Sequence, residues 1–354
     1  MREKQWLIYG AYGYIGALIA REAAKRGLTP ILAGRNLSKL QPLAKELNLD
    51  MRTFSLDSNA AEYLSDISIV LHCAGPFKET SEPMIEACLK AGSHYLDITG
   101  EIGVFEQAHA ISARAKDAGL IICPGVGFDV IPTDCTALKL KEVMPDAIEL
   151  FLGFDSDSGV SRGTYKTMIQ GLESGSTVRK NGKLMSVPLG SQLRAINYGR
   201  GHRFSMGIPW GDVSTAYYTT GIENISAWIP TPRTAAAGAR LLSGLRPVLS
   251  SSPVQKILSN WVDRRASGPD KELRANSPAY IWGEARNAGG LVKVARIQTA
   301  NVYDLTAYGA LEVIRRLLEN QFTGGSYTPA MLFGSSLVED LPGSGIFEID
   351  TFYP

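Results

Sequence analysis

Gln5-Trp6-Leu7-Ile8-Tyr9-Gly10-Ala11-Tyr12-Gly13-Tyr14-Ile15-Gly16 decides the fold. Gln5 to Tyr9 is a short apolar run with strand character. Tyr14 to Gly27 has the Ala- and Leu-rich spacing of a helix, and Gly27 supplies the stop. Three glycines at GxxGxxG spacing lie between. Gly10 permits a tight turn, Gly13 lets backbone approach a diphosphate, and Gly16 lets the helix pack closely on the strand. Such a loop also occurs as an ordinary turn in α/β proteins. Its place between a strand and the start of a helix is what points to dinucleotide binding, with free N–H groups at the helix start facing the diphosphate. Gly10, Tyr12, Gly13, Tyr14 and Ile15 are the expected contacts.

Outward from this loop, strand and helix signals alternate. Thr29 to Ala33, Met51 to Leu56, Ile67 to Cys73, His94 to Ile98 and Leu120 to Cys123 read as strands. Leu37 to Leu47, Glu82 to Ala91 and Val104 to Ala118 read as helices, the first capped by Asn36. This rhythm predicts an α/β fold: a Rossmann-type doubly wound parallel sheet over residues 1–133. After about Asp134 the pattern changes, and a second α+β domain is expected over residues 134–354. Within it Arg162 to Leu172 reads as a helix, Tyr280 to Gly283 and Leu291 to Thr299 as a hairpin, and 304–320 as a helix returning toward the first domain. The tail from Gly324 reads as loop.

At the end of the second strand the chain reads Gly34-Arg35-Asn36. An NAD site usually places an acid here for the ribose 2′-hydroxyl. Arg35 stands in its place, and a guanidinium can clamp a 2′-phosphate with two hydrogen bonds. Gly34, Arg35, Asn36 and Lys39 are therefore expected at NADP, with Ser38 adding a donor. Asp57 has two equal readings, as a contact at the adenine edge or as a helix cap. Ligands of open α/β sheets lie beyond the carboxyl ends of the strands. The loops there are Ala74-Gly75-Pro76-Phe77, Thr99-Gly100-Glu101 and Pro124-Gly125-Val126-Gly127-Phe128-Asp129. Ala74, Gly75, Pro76, Phe77, Thr99, Gly100 and Gly125 are expected to line the cofactor.

The chain has 354 residues, 45% hydrophobic and 20% charged, the profile of a soluble globular protein of about two domains. Lys and Arg number 36 against 35 Asp and Glu, a balance that argues against nucleic acid as a partner. Cys73, Cys88, Cys123 and Cys135 form no CxxC pair, and the four His residues give no metal spacing. Reduced core thiols and a cytoplasmic location are expected. The apolar stretch from Trp6 to Ala20 resembles a signal peptide, but its regular glycines fit the loop above better.

Taken in order, GAYGYIG at Gly10, AGRN at Ala33, CAGPF at Cys73, HYLDITGE at His94 and PGVGFDVIPTD at Pro124 resemble the saccharopine dehydrogenase-like oxidoreductases, including trans-acting enoyl reductases. GTYKT at Gly163, IPWGD at Ile208, GPDKELR at Gly268, WGEA at Trp282, YDLTAYGAL at Tyr303, GGSYTPA at Gly324 and FGSSLVEDLPG at Phe333 extend the likeness along the chain. The resemblance implies a two-domain architecture and NADP(H); it does not imply saccharopine as substrate.

The expected function is hydride transfer to a C=C or C=N bond of a small or acyl-type, lipid-like substrate. The alternative is an NADP(H)-sensing protein without chemistry on the same scaffold. Candidate proton donors are Glu101, Tyr165 and Asp129, with Asp212 behind them. Each carboxylate also has a structural reading: Glu101 as a cap on the helix after Gly103, Asp129 as a cap on the helix after Pro132. The small-residue run Ala235 to Leu242 can be an interface helix, an acyl-channel wall or a lipid-facing element. A homodimer and a peripheral lipid contact are also expected.

Overall fold

The computed structural model describes residues 5–157, 175–243 and 277–354. The chain divides into two compact units. The first comprises Met1–Ile131 with Tyr303–Leu332, the second Pro132–Val302 with Phe333–Pro354.

The first unit alternates strand and helix: β1 (Gln5–Tyr9), α1 (Tyr14–Lys25), β2 (Ile31–Gly34), α2 (Leu37–Leu47), β3 (Met51–Thr53), β4 (Ile67–His72), α3 (Phe77–Ala91), β5 (His94–Asp97), α4 (Ile102–Ala110), α5 (Ser112–Asp117) and β6 (Ile121–Cys123). The strands lie in the order β3-β2-β1-β4-β5-β6, all parallel. The expected doubly wound sheet is therefore present, with its order reversing beside β1. Strand β4 reads Ile-Ser-Ile-Val-Leu-His and is buried at five of its six positions, as a strand covered on both faces requires. Helix α1 turns Gly16, Ile19, Ala20 and Ala23 inward, the i, i+3, i+4, i+7 stripe of a helix packed on a sheet. Each fully buried Leu or Ile of this core contributes roughly 1.5–3 kcal/mol.

Three elements differ from the sequence reading. Helix α3 begins at Phe77 rather than Glu82. Its first N–H groups are capped by a carboxylate distant in sequence, which local pattern cannot reveal. The segment expected as one helix over Val104 to Ala118 is two, broken at Ile111. The tail adds a seventh strand, Gly325–Ser326, parallel to β6. A Cβ on Gly324 would sit 2.7 Å from the Ala115 carbonyl oxygen, so glycine is what admits this close approach.

The second unit begins with α6 (Ile131–Val143), which crosses the boundary at its first residue. Strands β7 (Ala147–Ser156), β8 (Ser176–Lys180), β9 (Lys183–Val187), β10 (Leu193–Asn197) and β11 (His202–Ile208) follow, then α7 (Asp212–Thr220), β12 (Asn224–Pro230), α8 (Arg233–Ser243), β13 (Ala279–Asn287) and β14 (Val292–Thr299). Helix α9 (Val302–Glu319) belongs to the first unit from Tyr303 onward, as do β15 (Gly325–Ser326) and most of α10 (Pro329–Phe333). Strand β16 (Glu348–Phe352) closes the chain. The main path of the second sheet runs β10-β11-β12-β7-β13-β14-β16, and only β12 with β7 is parallel.

One face of this sheet meets α6: a Cβ on Gly283 would lie 2.6 Å from Thr136 Cγ2 and 2.8 Å from Leu140 Cδ1. The other face gathers Ile196, Tyr198, Trp228, Trp282 and Val294. Arg194 reaches into that cluster and pairs with buried Glu284 at 2.8 Å. The β13–β14 hairpin turns at Asn287–Gly290 as expected, with the Leu291 N–H donating to Asn287 Oδ1 at 2.9 Å. Tyr165, the helix expected over Arg162 to Leu172, and the GTYKT and GPDKELR motifs lie outside the described residues.

Candidate active site

The loop after β1 is built as its glycines require. Gly10 has φ +83°, and a Cβ there would lie 2.8 Å from Ala74 Cβ and Ala74 N. The Gly13 N–H donates to the Gly10 carbonyl at 2.9 Å. A Cβ on Gly16 would lie 2.5 Å from that same carbonyl oxygen, so Gly16 lets the helix seat on the turn. Gly13 is the N-cap of α1 and has no side chain with which to cap it. A helix N-terminus behind a glycine loop is a ready site for a diphosphate.

Beside it, Tyr12 lies over the end of β2: a Cβ on Gly34 would be 2.5 Å from Tyr12 Cε1. Tyr9 is buried and donates its hydroxyl to the Phe54 carbonyl at 3.1 Å. Burial pushes the Tyr9 pKa up to about 12, and Arg35, Tyr12 and Asp57 all lie within electrostatic reach of it. Three of the residues read from the sequence as cofactor contacts thus gather at one corner of the sheet. Arg35 and Lys39 are exposed, and Arg35 forms no ion pair among the described residues. Asn36 does cap α2, its Oδ1 accepting from the Lys39 N–H at 3.1 Å and from the Ser38 hydroxyl at 2.8 Å. Asp57 Oδ1 accepts the Asn59 N–H at 3.0 Å, a turn ahead of the 3-10 helix Ala60–Leu64.

The loops after β4, β5 and β6 are joined by side chains. Glu101 accepts the Phe77 N–H at 3.1 Å on one carboxylate oxygen and the Lys78 N–H at 2.8 Å on the other. It is the N-cap residue of α4 by position, yet its side chain caps α3 instead. Burial raises its pKa, against the lowering effect of the two N–H groups. Gly75 is exposed, with nothing nearer than 3.7 Å to a Cβ placed on it, so its lack of a side chain leaves open space at the rim. Phe77 sets its ring edge-on to His72 at 5.5 Å.

His72 and Asp97 were not singled out in the sequence. His72 is buried and neutral, its pKa lowered to about 3 by desolvation. Its Nε2 lies 2.9 Å from the Thr80 hydroxyl, which donates to the Ala74 carbonyl at 2.7 Å. Asp97 ends β5, fully buried. Its Oδ1 accepts the Thr99 N–H at 2.9 Å and the Gly125 N–H at 2.8 Å, and its Oδ2 accepts the Tyr95 hydroxyl at 2.7 Å. Desolvation raises the Asp97 pKa to about 6 against those three donors. The sequence signal available was an acid at the last position of an otherwise apolar strand.

Asp129 is part-buried, and desolvation pushes its pKa up to about 7. A Cβ on Gly100 would lie 2.9 Å from Asp129 Oδ2, so Gly100 makes the room that this carboxyl occupies. The Phe128 N–H donates to Thr306 Oγ1 at 3.1 Å, and Tyr303 packs edge-on to Tyr14 at 5.3 Å. Helix α9 therefore meets both the β6 loop and the start of α1. Asp212 lies in the second unit, where Thr133 donates to its Oδ1 at 2.6 Å. No cluster of His, Cys, Asp and Glu among the described residues could hold a metal ion, and none of the four cysteines is in a disulfide.

A parallel sheet of this order, a glycine loop leading into a helix, and an arginine where an acid would select NAD together define a dinucleotide-binding Rossmann domain. Residues 6–123 match the family model of the saccharopine dehydrogenase NADP binding domain. The chain is similar to the saccharopine dehydrogenase-like oxidoreductase of Rattus norvegicus, 28% identical over 225 residues, 54% of this chain and 52% of the relative. It is also similar to the trans-acting enoyl reductase of Mycobacterium ulcerans, 32% identical over 143 residues, 38% of this chain and 34% of that one. The chain thus spans about half the length, or less, of these curated relatives. Saccharopine dehydrogenase (L-Glu forming) from Saccharomyces cerevisiae shares the fold across 99% of this chain and 100% of its own, with a TM-score of 0.68 at 12% identity.

Proposed function

We propose that the chain is an NADP(H)-dependent reductase acting on a C=C or C=N bond of a small or acyl-type substrate. The observation that carries this reading is the pairing of exposed Arg35 at the end of β2 with the glycine loop that leads into α1. Arg35 with Lys39 would hold a 2′-phosphate, and Gly10 to Ile15 the diphosphate. Bound NADPH would supply a hydride to the substrate carbon and leave as NADP+. The second atom of the reduced bond then needs one proton.

Asp129 is the group suited to give it. Its pKa of about 7 leaves a substantial protonated fraction near neutral pH. Glu101 is suited to a different task, since both its oxygens hold backbone N–H groups of α3. The enoyl or acyl class of substrate draws support from the similarity to a protein named a trans-acting enoyl reductase. A homodimer is part of the same reading, supported by the edge strand β16, which leaves Ile349 and Phe352 exposed beside Ile346.

The test is NADPH consumption against a panel of enoyl thioesters, cyclic imines and 2-keto acids. Turnover of an enoyl thioester or imine, lost in Asp129→Asn with NADPH binding intact, is the expected result. Tight NADPH binding with no turnover of any compound would replace the reductase reading by a sensor.

A further inference from the structure

The nicotinamide half of a Rossmann site is formed by the second βαβ half of the sheet, here β4 to β6. Its three loops come from separate points in the chain, and loop backbone keeps one course only where hydrogen bonds tie it. Two buried or half-buried carboxylates tie them here. Asp97 takes the Thr99 and Gly125 N–H groups on a single oxygen and so joins the β5 loop to the β6 loop. The Asp97 carbonyl also accepts the Val126 N–H at 2.7 Å. Thr99 Oγ1 in turn accepts the Glu101 N–H at 3.0 Å, and Glu101 caps α3, joining the β5 loop to the β4 loop.

Gly125 makes the arrangement possible. It has φ +77°, and a Cβ there would lie 2.5 Å from Val130 Cγ2. Only glycine adopts that turn without strain, and the turn is what aims its N–H at Asp97. Tyr95 holds the other carboxylate oxygen and so fixes the rotamer.

We propose that Asp97 is a positioning residue for the nicotinamide half of the cofactor, locking the β5 and β6 loops into one rigid rim. The proposal rests on the NADP(H) reading above. Asp97 touches no cofactor in this account. It acts through Thr99, Gly100 and Gly125, which the sequence placed at the cofactor. The adenosine half, held by the β1 loop and Arg35, is independent of it.

The experiment compares two probes by calorimetric titration: NADPH, and adenosine 2′,5′-bisphosphate, which carries only the adenosine half with its 2′-phosphate. In Asp97→Ala two buried N–H groups lose their acceptor. NADPH affinity should fall about tenfold or more while the bisphosphate binds within about twofold of wild type. Asp97→Asn keeps an oxygen for both N–H groups and should recover most of the NADPH loss. Equal losses for the two probes, or no loss for NADPH, would overturn the proposal. Should Asp97→Ala fail to fold, amide hydrogen exchange in the wild-type chain decides. The Thr99 and Gly125 amides share one acceptor and should open together, with similar protection, and independent fast exchange would overturn the lock. A wild-type chain that binds neither probe would instead sink the NADP(H) reading itself.

Discussion

The two halves of the first sheet reach the same edge by different means. Around β1, β2 and β3 the site is made largely of backbone: a positive-φ glycine, a helix start behind Gly13, and one exposed arginine. Around β4, β5 and β6 it is made of buried side chains holding backbone in place: His72 with Thr80, Glu101 on α3, and Asp97 on Thr99 and Gly125. The first half is a local device, written in the seven consecutive residues Gly10 to Gly16 and one arginine after β2. The second is tied by the Glu101 and Asp97 bonds between loops, 23 to 28 residues apart, and is finished by Thr306, 178 residues from its partner. Local devices fail locally, whereas tied loops fail together.

The largest expected effect lies in the first half. Gly13→Val should abolish binding of NADPH and of adenosine 2′,5′-bisphosphate alike, because the branched side chain enters the space of the diphosphate and crowds the Gly10 carbonyl, 3.1 Å from a Cβ at that position. A folded variant that keeps nucleotide affinity would break the contrast, since the cradle would then not be backbone at all.

The second half should announce itself in pH dependence. Asp97 has its folded pKa raised to about 6 from an ordinary value of 3.8, so the protonated form favours the native state. Its contribution is fully present below about pH 4 and is lost as pH rises through 6, by up to roughly 3 kcal/mol. Asp97→Asn cannot titrate. The difference in unfolding free energy between wild type and this variant should therefore fall between about pH 4 and pH 6 and stay flat above. A flat difference throughout, measured by urea titration, would mean that burial does not control this carboxyl.

Arg35→Ala is expected to weaken NADPH binding by roughly 1–3 kcal/mol and to leave NADH nearly unchanged. Equal losses for both cofactors would remove the 2′-phosphate from the account. The smallest effect belongs to Glu101. Glu101→Ala removes the cap of α3 and should cost about 1 kcal/mol of stability. A loss of hydride transfer larger than the loss of NADPH affinity would instead put Glu101 back among the proton donors.

Legibility follows the same division. The turn after β1 and the Asn36 cap were readable because each works through its immediate neighbours, and strand alternation alone predicted the parallel sheet. Asp97 escaped because one acid at the end of an apolar strand resembles any strand terminus until its fold partners are known. The early start of α3 escaped because its cap comes from Glu101, and β15 because Gly324-Gly325 reads as a turn in isolation. In the second unit Arg194 and Glu284 meet across 90 residues inside an aromatic cluster. Nothing in either local sequence marks them as partners, and alternation there was obscured by charges facing the packed side of the sheet.

One property is central: the carboxyl edge of the first unit binds NADP(H) and prefers it over NAD(H). Paired titrations of the intact wild-type chain with NADPH and NADH test it most directly. The account predicts one nucleotide bound per chain, with NADPH at least about tenfold tighter, the equivalent of one charge-assisted pair to the 2′-phosphate. Equal affinities, or tighter NADH, would contradict it.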